Sequence, residues 1–171
     1  DAHALPFAND SIDFVLSVAV LEHIQYPFVM MSEVFRVLKP GSLLIGSVAF
    51  MEPFHGGSFY HHTSRGTANT LNNAGFEIVK LAASGDWNVF TANARMSKKA
   101  LFPKMSSGMA EFIVKSPGFL SKYWWALISS LRKDILRESY AERVSGAFIF
   151  IAKKPSSRGF NSLSHSSPST E

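Results

Sequence analysis

Two stretches of this chain concentrate side chains able to take or hold a proton. Leu21-Glu22-His23 sets a carboxylate beside an imidazole directly after an apolar run. Phe54-His55-Gly56-Gly57-Ser58-Phe59-Tyr60-His61-His62 places three imidazoles among aromatic rings. An imidazole with its reference pKa of about 6.5 takes a proton from a hydroxyl or amine nucleophile near neutral pH. His55, His61 and His62 are therefore candidates for handling an acceptor, with Glu22 and His23 as further catalytic candidates. Each has a plain structural reading beside it: Glu22 as a local cap or pair, His23 as a satisfied helix-start residue, the loop histidines as solvated surface groups. The chain has no cysteine, which removes thiolate metal sites, cysteine nucleophiles and disulfides, and fits a reducing, cytoplasmic setting.

The elements that must position these groups follow from periodicity and punctuation. Ser11 to Ser17 reads as a mostly apolar strand, as in the buried interior of a parallel sheet, and Val18 to His23 continues it as a shelf. A helix is predicted from Pro27, suited to the first helical turn, to Leu38, with Phe28, Met31, Phe35 and Leu38 as one apolar stripe. Pro40-Gly41 should stop it and turn the chain into a strand at Leu43–Val48. Strand, helix and strand at this spacing make a right-handed βαβ unit in a parallel sheet. Residues 51–62 read as a loop. Thr63 is a plausible N-cap for a short helix ending at Ala74, with Gly75 just past its end. Phe76–Leu81 alternates as a strand, and Gly146–Ala152 is a strongly apolar one.

Between those last two strands lies a long excursion, 84–143. Its clearest part opens at Ser116-Pro117, after which Leu120, Trp124, Leu127, Ile128, Leu131 and Ile135 share one helical face, with Lys122, Ser129, Arg132, Lys133 and Arg137 elsewhere. The common explanation is a core-facing stripe with a solvated basic side, although residues 116–138 also allow peripheral membrane contact. From Arg95 to Arg143 there are ten Lys/Arg against four Asp/Glu, so this segment carries more than the whole net charge of +4. A local basic surface of this kind, without a zinc finger, helix-turn-helix or RNP motif, does not point to nucleic acid. No apolar run approaches the roughly 20 residues needed to span a bilayer. Residues 155–171 hold seven Ser and two Pro among seventeen positions and read as a disordered tail.

The string D-A-x-x-L-P-F-x-x-x-S-I-D-x-V over Asp1–Val15, the L-E-H of Leu21–His23 and the E-V-x-R-V-L-K-P-G of Glu33–Gly41 resemble class I S-adenosylmethionine-dependent methyltransferases. Within that family the chain looks most like the methyltransferase type 11-like group that includes ubiquinone and menaquinone biosynthesis enzymes. The resemblance implies a Rossmann-like α/β sheet in the order 3-2-1-4-5-7-6, of which this chain would supply the C-terminal half, strands 4-5-7-6. The helical insertion at 84–143 would then interrupt a domain spanning 1–154. It also implies S-adenosylmethionine as cofactor, with Asp1 and Ala2 at the adenine, and Ser17, Val18 and Ala19 lining the methionine end. The activity implied is methyl transfer to a small acceptor, lipophilic if the quinone-type likeness carries that far. Some relatives bind Mg²⁺ through E-x-x-E-H; here Ala19 stands in place of the first acid, so no metal is expected. The family's glycine-rich cofactor loop is expected upstream of Asp1, which makes the chain read as the C-terminal part of a longer protein. A second expectation follows from that absence: a non-catalytic remnant or fragment acting by association through an unpaired strand edge.

Overall fold

The computed structural model describes residues 1–51, 57–85, 87–89, 91–92, 120, 123–124, 126–128, 130–131 and 144–156. In chain order they form β1 (Ile12–Val18), a 3-10 turn (Leu21–His23), α1 (Pro27–Val37), β2 (Leu38–Ala49), α2 (Ser64–Ala74), β3 (Glu77–Ala83) and β4 (Ala147–Lys153). The strands make one mixed sheet in the order β1-β2-β4-β3. β1 and β2 run parallel, while β4 lies between β2 and β3 and is antiparallel to both. This is an α/β, Rossmann-like arrangement, and β1-α1-β2 is the expected βαβ unit.

The helices pack on one face. Leu44 and Val48 from β2 and Phe148, Phe150 and Ala152 from β4 meet Met30, Met31 and Val34 of α1, Leu71 of α2, and Leu21. The buried stripe of α1 is Met30, Met31, Val34 and Val37. Of the predicted set, Met31 and Leu38 are buried in the core, whereas Phe28 is about half exposed and Phe35 lies only partly buried at the margin, edge-on to Phe76. A helix reading PFVMMSEVFRV is apolar on nearly every side, so two stripes satisfy the same spacing and tertiary packing selects between them. α2 follows its sequence signals closely: Thr63 Oγ1 accepts from the Gly66 N–H at 3.0 Å, and Gly75 closes the helix at φ 98°.

β2 begins at Leu38, directly after α1, rather than beyond Pro40-Gly41. The register of β1 against β2 shifts between Ile12 and Phe14, and Gly41, at φ 83°, bonds through its N–H to the Lys154 carbonyl at 2.8 Å. Proline is tolerated in a strand where the ladder is irregular, so the pair marks a bulge and does not end the segment. α1 ends without a capping glycine. Its last four carbonyls are taken instead by Leu38 N–H, Lys154 Nζ, Asp10 N–H and Ser11 N–H, in the order Val34, Phe35, Arg36, Val37.

β1 is the terminal strand of the described sheet. Phe14, Leu16 and Val18 are 49%, 63% and 57% exposed, so the expected double burial of this strand is not realised. On that face a shallow, mostly apolar groove of ≈ 330 Å³ runs over Leu16, Val18, Ile45, Ile149 and Ile151 to Lys80. In the excursion, residues 120, 123–124, 126–128 and 130–131 are helical, but Leu120, Trp124, Leu127 and Leu131 are exposed. The core-facing reading of that stripe is corrected for these residues. The remainder of the 116–138 segment and the tail beyond Ser156 lie outside the described residues. Among the described residues no helix is long and apolar enough to cross a membrane.

Candidate functional site

The predicted groups gather at the carboxyl end of β1, where ligands of open α/β sheets bind. β1 delivers Ser17 and Val18 to this edge. The next residue, Ala19, adopts φ 51° and donates its N–H to the Ser47 carbonyl at 3.2 Å. A left-handed alanine carries strain of roughly 1–2 kcal/mol, and such strain concentrates where backbone is shaped for a ligand. Val18 and Ala19 are exposed, whereas Ser17 is buried.

The 3-10 turn then points Leu21 into the core and buries Glu22, 1% exposed, beside it. Its backbone also anchors the following loop. The Glu22 carbonyl accepts from Phe59 N–H at 2.7 Å and Tyr60 N–H at 3.3 Å, while Tyr60 Oη donates to the Gln25 carbonyl at 3.0 Å. His23 contributes Nδ1 to the Gly57 carbonyl at 3.4 Å. The loop holding the histidines is thereby fastened to the L-E-H turn, a connection across more than thirty residues that spacing alone does not reveal.

The histidines separate on this frame. His61 is exposed. His62 is buried, its N–H bonded to the Ala49 carbonyl at 2.9 Å. Burial is the largest influence on the His62 ring and pushes its pKa below the ordinary value; a hydrogen bond to the Leu21 backbone and the nearby Glu22 carboxylate oppose it, and His61 adds to the lowering. His55 lies outside the described residues.

The strap before β1 reaches the same end of the sheet. Asp1 is exposed, and its Oδ1 accepts from both the backbone N–H and Nδ1 of His3, at 2.9 and 2.7 Å. His3 Nε2 accepts from Tyr26 N–H at 3.2 Å, just ahead of α1. That bond assigns the proton to Nδ1, the atom that donates to Asp1. Ala2 packs partly buried against the core. The strap is held further down by Arg36, whose guanidinium forks onto Glu33 at 2.7 Å through Nε and Nη2 and also donates to the carbonyls of Leu5 and Phe7 and to Asn9 Oδ1. Glu33 in turn accepts from Leu5 N–H at 2.9 Å. The E-V-x-R segment is thus a clamp for the strap. Its sequence signal was the acid and base three residues apart on one helix. Reading the sequence for chemistry overlooked both this clamp and His3.

For the implied cofactor, the residues present fit in part. Asp1 keeps its second carboxylate oxygen and its exposure, and the Val18–Ala19 shelf is open at the same sheet end. Among the described residues, Ser17 Oγ, both Glu22 carboxylate oxygens and His62 Nε2 are buried without a hydrogen-bond partner.

Comparison with known proteins finds methyltransferase likenesses in both sequence and fold. Residues 1–46 match the family described as "Methyltransferase domain". An uncharacterised methyltransferase of Mycobacterium tuberculosis is 46% identical over 54 residues, covering 31% of this chain and 21% of that protein. Among solved structures, the [4+2]-cyclase SpnF aligns at TM-score 0.53 and 20% identity, covering 92% of this chain and 56% of that one. A candidate sarcosine dimethylglycine methyltransferase from Galdieria sulphuraria aligns at TM-score 0.54 and 13% identity, over 91% of this chain and 58% of that one. The chain therefore spans little more than half the length of these structures, and its match covers about a fifth of the curated relative. The structural likenesses establish the fold. The sequence likeness is to methyltransferases, and the family match falls on residues 1–46.

Proposed function

We propose that this chain supplies the adenine-side and acceptor-side walls of an S-adenosylmethionine-dependent methyltransferase acting on a small acceptor. The observation that carries the reading is spatial. The strap Asp1–Ala2, the strained shelf Val18–Ala19 and the Glu22–His62 pair all stand at the carboxyl end of β1, and the first two fall within the matched segment 1–46. In this reading Asp1 accepts from the exocyclic amine of adenine and the Ala2 N–H donates to the ring. Ser17, Val18 and Ala19 line the methionine end. The bound cofactor supplies an electrophilic methyl group on a sulfonium. Positioning in line contributes much of the rate for such a transfer, so Glu22, His23, His55, His61 and His62 serve to orient the acceptor and receive its proton. Within the family's sheet, β1, β2, β3 and β4 take positions 4, 5, 6 and 7, making residues 1–154 the C-terminal half of the domain. A quinone-type, lipophilic acceptor and a cytoplasmic location belong to the same proposal.

This sequence contains no G-x-G-x-G, so the chain alone should hold the cofactor weakly. Titrating S-adenosylhomocysteine into the ¹⁵N-labelled chain is expected to move the amide signals of Ala2, Val18 and Ala19 in fast exchange. Adenosine should move Ala2 alone, and methionine the Val18–Ala19 pair. Absence of these shifts, or shifts confined to other elements, would refute the assignment.

The exposed apolar face of β1 favours a second reading, in which the chain works by association and not by catalysis. A long apolar edge strand is a template for pairing with another polypeptide. Tight, low-micromolar binding of S-adenosylmethionine by the isolated chain would remove that reading.

A further inference from the structure

At the junction of the 3-10 turn and the histidine loop, Glu22 and His62 are 1% and 8% exposed, yet both carboxylate oxygens and Nε2 have no hydrogen-bond partner among the described residues. Ser17 Oγ, at the end of the adjoining strand, is a third orphan, in a residue 2% exposed. Buried polar groups are hydrogen-bonded in the great majority of cases, and a buried carboxylate without a counter-charge costs several kcal/mol. The backbone here is firmly tied: Glu22 carbonyl to Phe59 and Tyr60, His62 N–H to the Ala49 carbonyl. The orphaned atoms are therefore held in place by bonds that do not involve them.

What they lack is specific. A carboxylate offers only acceptors. Burial favours the neutral His62 ring, and in the tautomer that leaves Nε2 as a lone pair this atom too is only an acceptor. The Glu22 and His62 groups cannot satisfy each other in that state, since both need hydrogen. No Lys or Arg among the described residues pairs with Glu22. No group of three His, Cys, Asp or Glu among those residues is placed to hold a metal ion. A compact cation bearing several N–H bonds supplies what is missing in both charge and hydrogen.

We propose that Glu22 and His62 form a receptor for a primary ammonium group, which donates to the Glu22 carboxylate and to His62 Nε2. Two sources share that chemistry: an amine methyl acceptor and the methionine ammonium of the cofactor. The binding itself stands on the buried acceptors; only the description of the group as a methyl acceptor rests on the methyl-transfer reading above.

The test follows the His62 ring nitrogens by NMR in the full chain labelled with ¹⁵N-histidine. Ethylammonium is expected to produce a saturable shift at Nε2, while ethanol and tetramethylammonium, lacking charge or N–H, should not. Glu22→Gln should weaken the ethylammonium response about tenfold, the difference between a charge-assisted and a neutral hydrogen bond. S-adenosylhomocysteine that reproduces the shift and blocks ethylammonium would assign the site to the cofactor's methionine end. An ethylammonium shift that persists in its presence would assign it to the acceptor. No saturable shift with ethylammonium, or an equal one with ethanol, would mean that the groups hold ordered water only and would overturn the proposal. The probes act on the unaltered chain, so this result does not depend on the variant folding, and it leaves methyl transfer itself untouched.

Discussion

Lys154 offers the sharpest test of how this fold is held. Its ammonium, on a residue 9% exposed, donates to the carbonyls of Phe35 and Leu38 at 2.7 Å each and to Asp10 Oδ1 at 2.6 Å, and it sits 4.7 Å from the Phe35 ring centroid. Lys154→Met keeps most of the apolar stem and removes all three donors. Two carbonyls at the end of α1 then lose their partners at roughly 1–3 kcal/mol each, and the helix C-terminus loses a cation worth about 0.3–1 kcal/mol. Relief of the desolvation borne by a buried ammonium offsets part of this. The net expected loss is about 3 kcal/mol, read as a drop of about 1–2 M in the urea midpoint at unchanged m-value. Asp10 is the control. Its side chain is 54% exposed, so Asp10→Asn should cost no more than about 1 kcal/mol, as for a surface pair. If Asp10→Asn costs as much as Lys154→Met, or if Lys154→Met stays within about 0.5 kcal/mol of the parent, a range ordinary for surface substitutions, carbonyl capping is not what Lys154 does.

Two further outcomes follow from the same geometry. A Cβ on Gly46 would come within 2.3 Å of the Ser17 carbonyl oxygen and 2.5 Å of Phe150 Cζ; Gly46→Ala should therefore cost about 1–3 kcal/mol through overpacking, seen as a lower thermal midpoint, and a parent-like midpoint would contradict that close approach. The Arg36 guanidinium bonded to Glu33, helped by Leu5 N–H, pulls the Glu33 carboxyl from 4.5 down to about 2. Its stabilising contribution is present above pH 4.5 and is lost as pH falls toward about 2, so Glu33→Gln should flatten acid unfolding within that window, and an unchanged acid limb would refute the linkage.

Much of this architecture was legible because local chemistry and tertiary need coincide. Thr63 and Gly75 bracket α2 in both sequence and structure, since a hydroxyl acceptor and a left-handed residue have few other uses at those positions. Pro27 opens α1 for a similarly local reason. The α1 face was legible only in part: Met31 and Leu38 are buried as the stripe requires, but Phe28 and Phe35 compete with Met30 and Val34 at equivalent spacing, and only the sheet decides. The start of β2 was obscured because Pro40-Gly41, a common stop, here serves a bulge. At the candidate site, the sequence showed the histidines and Glu22 but not their sorting. Burial of His62 with exposure of His61 depends on backbone bonds from Glu22 and Ala49 to the loop, contacts between residues far apart in sequence.

The position of β4 shapes how the chain can be assembled. The strand in the middle of the β2-β4-β3 portion comes after its two neighbours in the chain. Until residues 147–154 arrive, β3 has no neighbour among the described strands and α1 lacks Lys154, which closes its end. The sheet is therefore completed by insertion and not by growth at an edge. The described ends of the connection over residues 84–146 are tied down, with Ser84 N–H on the Ala147 carbonyl and Trp87 Nε1 on the Met51 carbonyl, and lengthening what joins them is inexpensive: each doubling costs about 0.6 kcal/mol in closure entropy. A chain built this way tolerates large differences in what lies between β3 and β4. By the same logic, a nick within the connection should leave β4 seated, with the two pieces held together as a non-covalent complex.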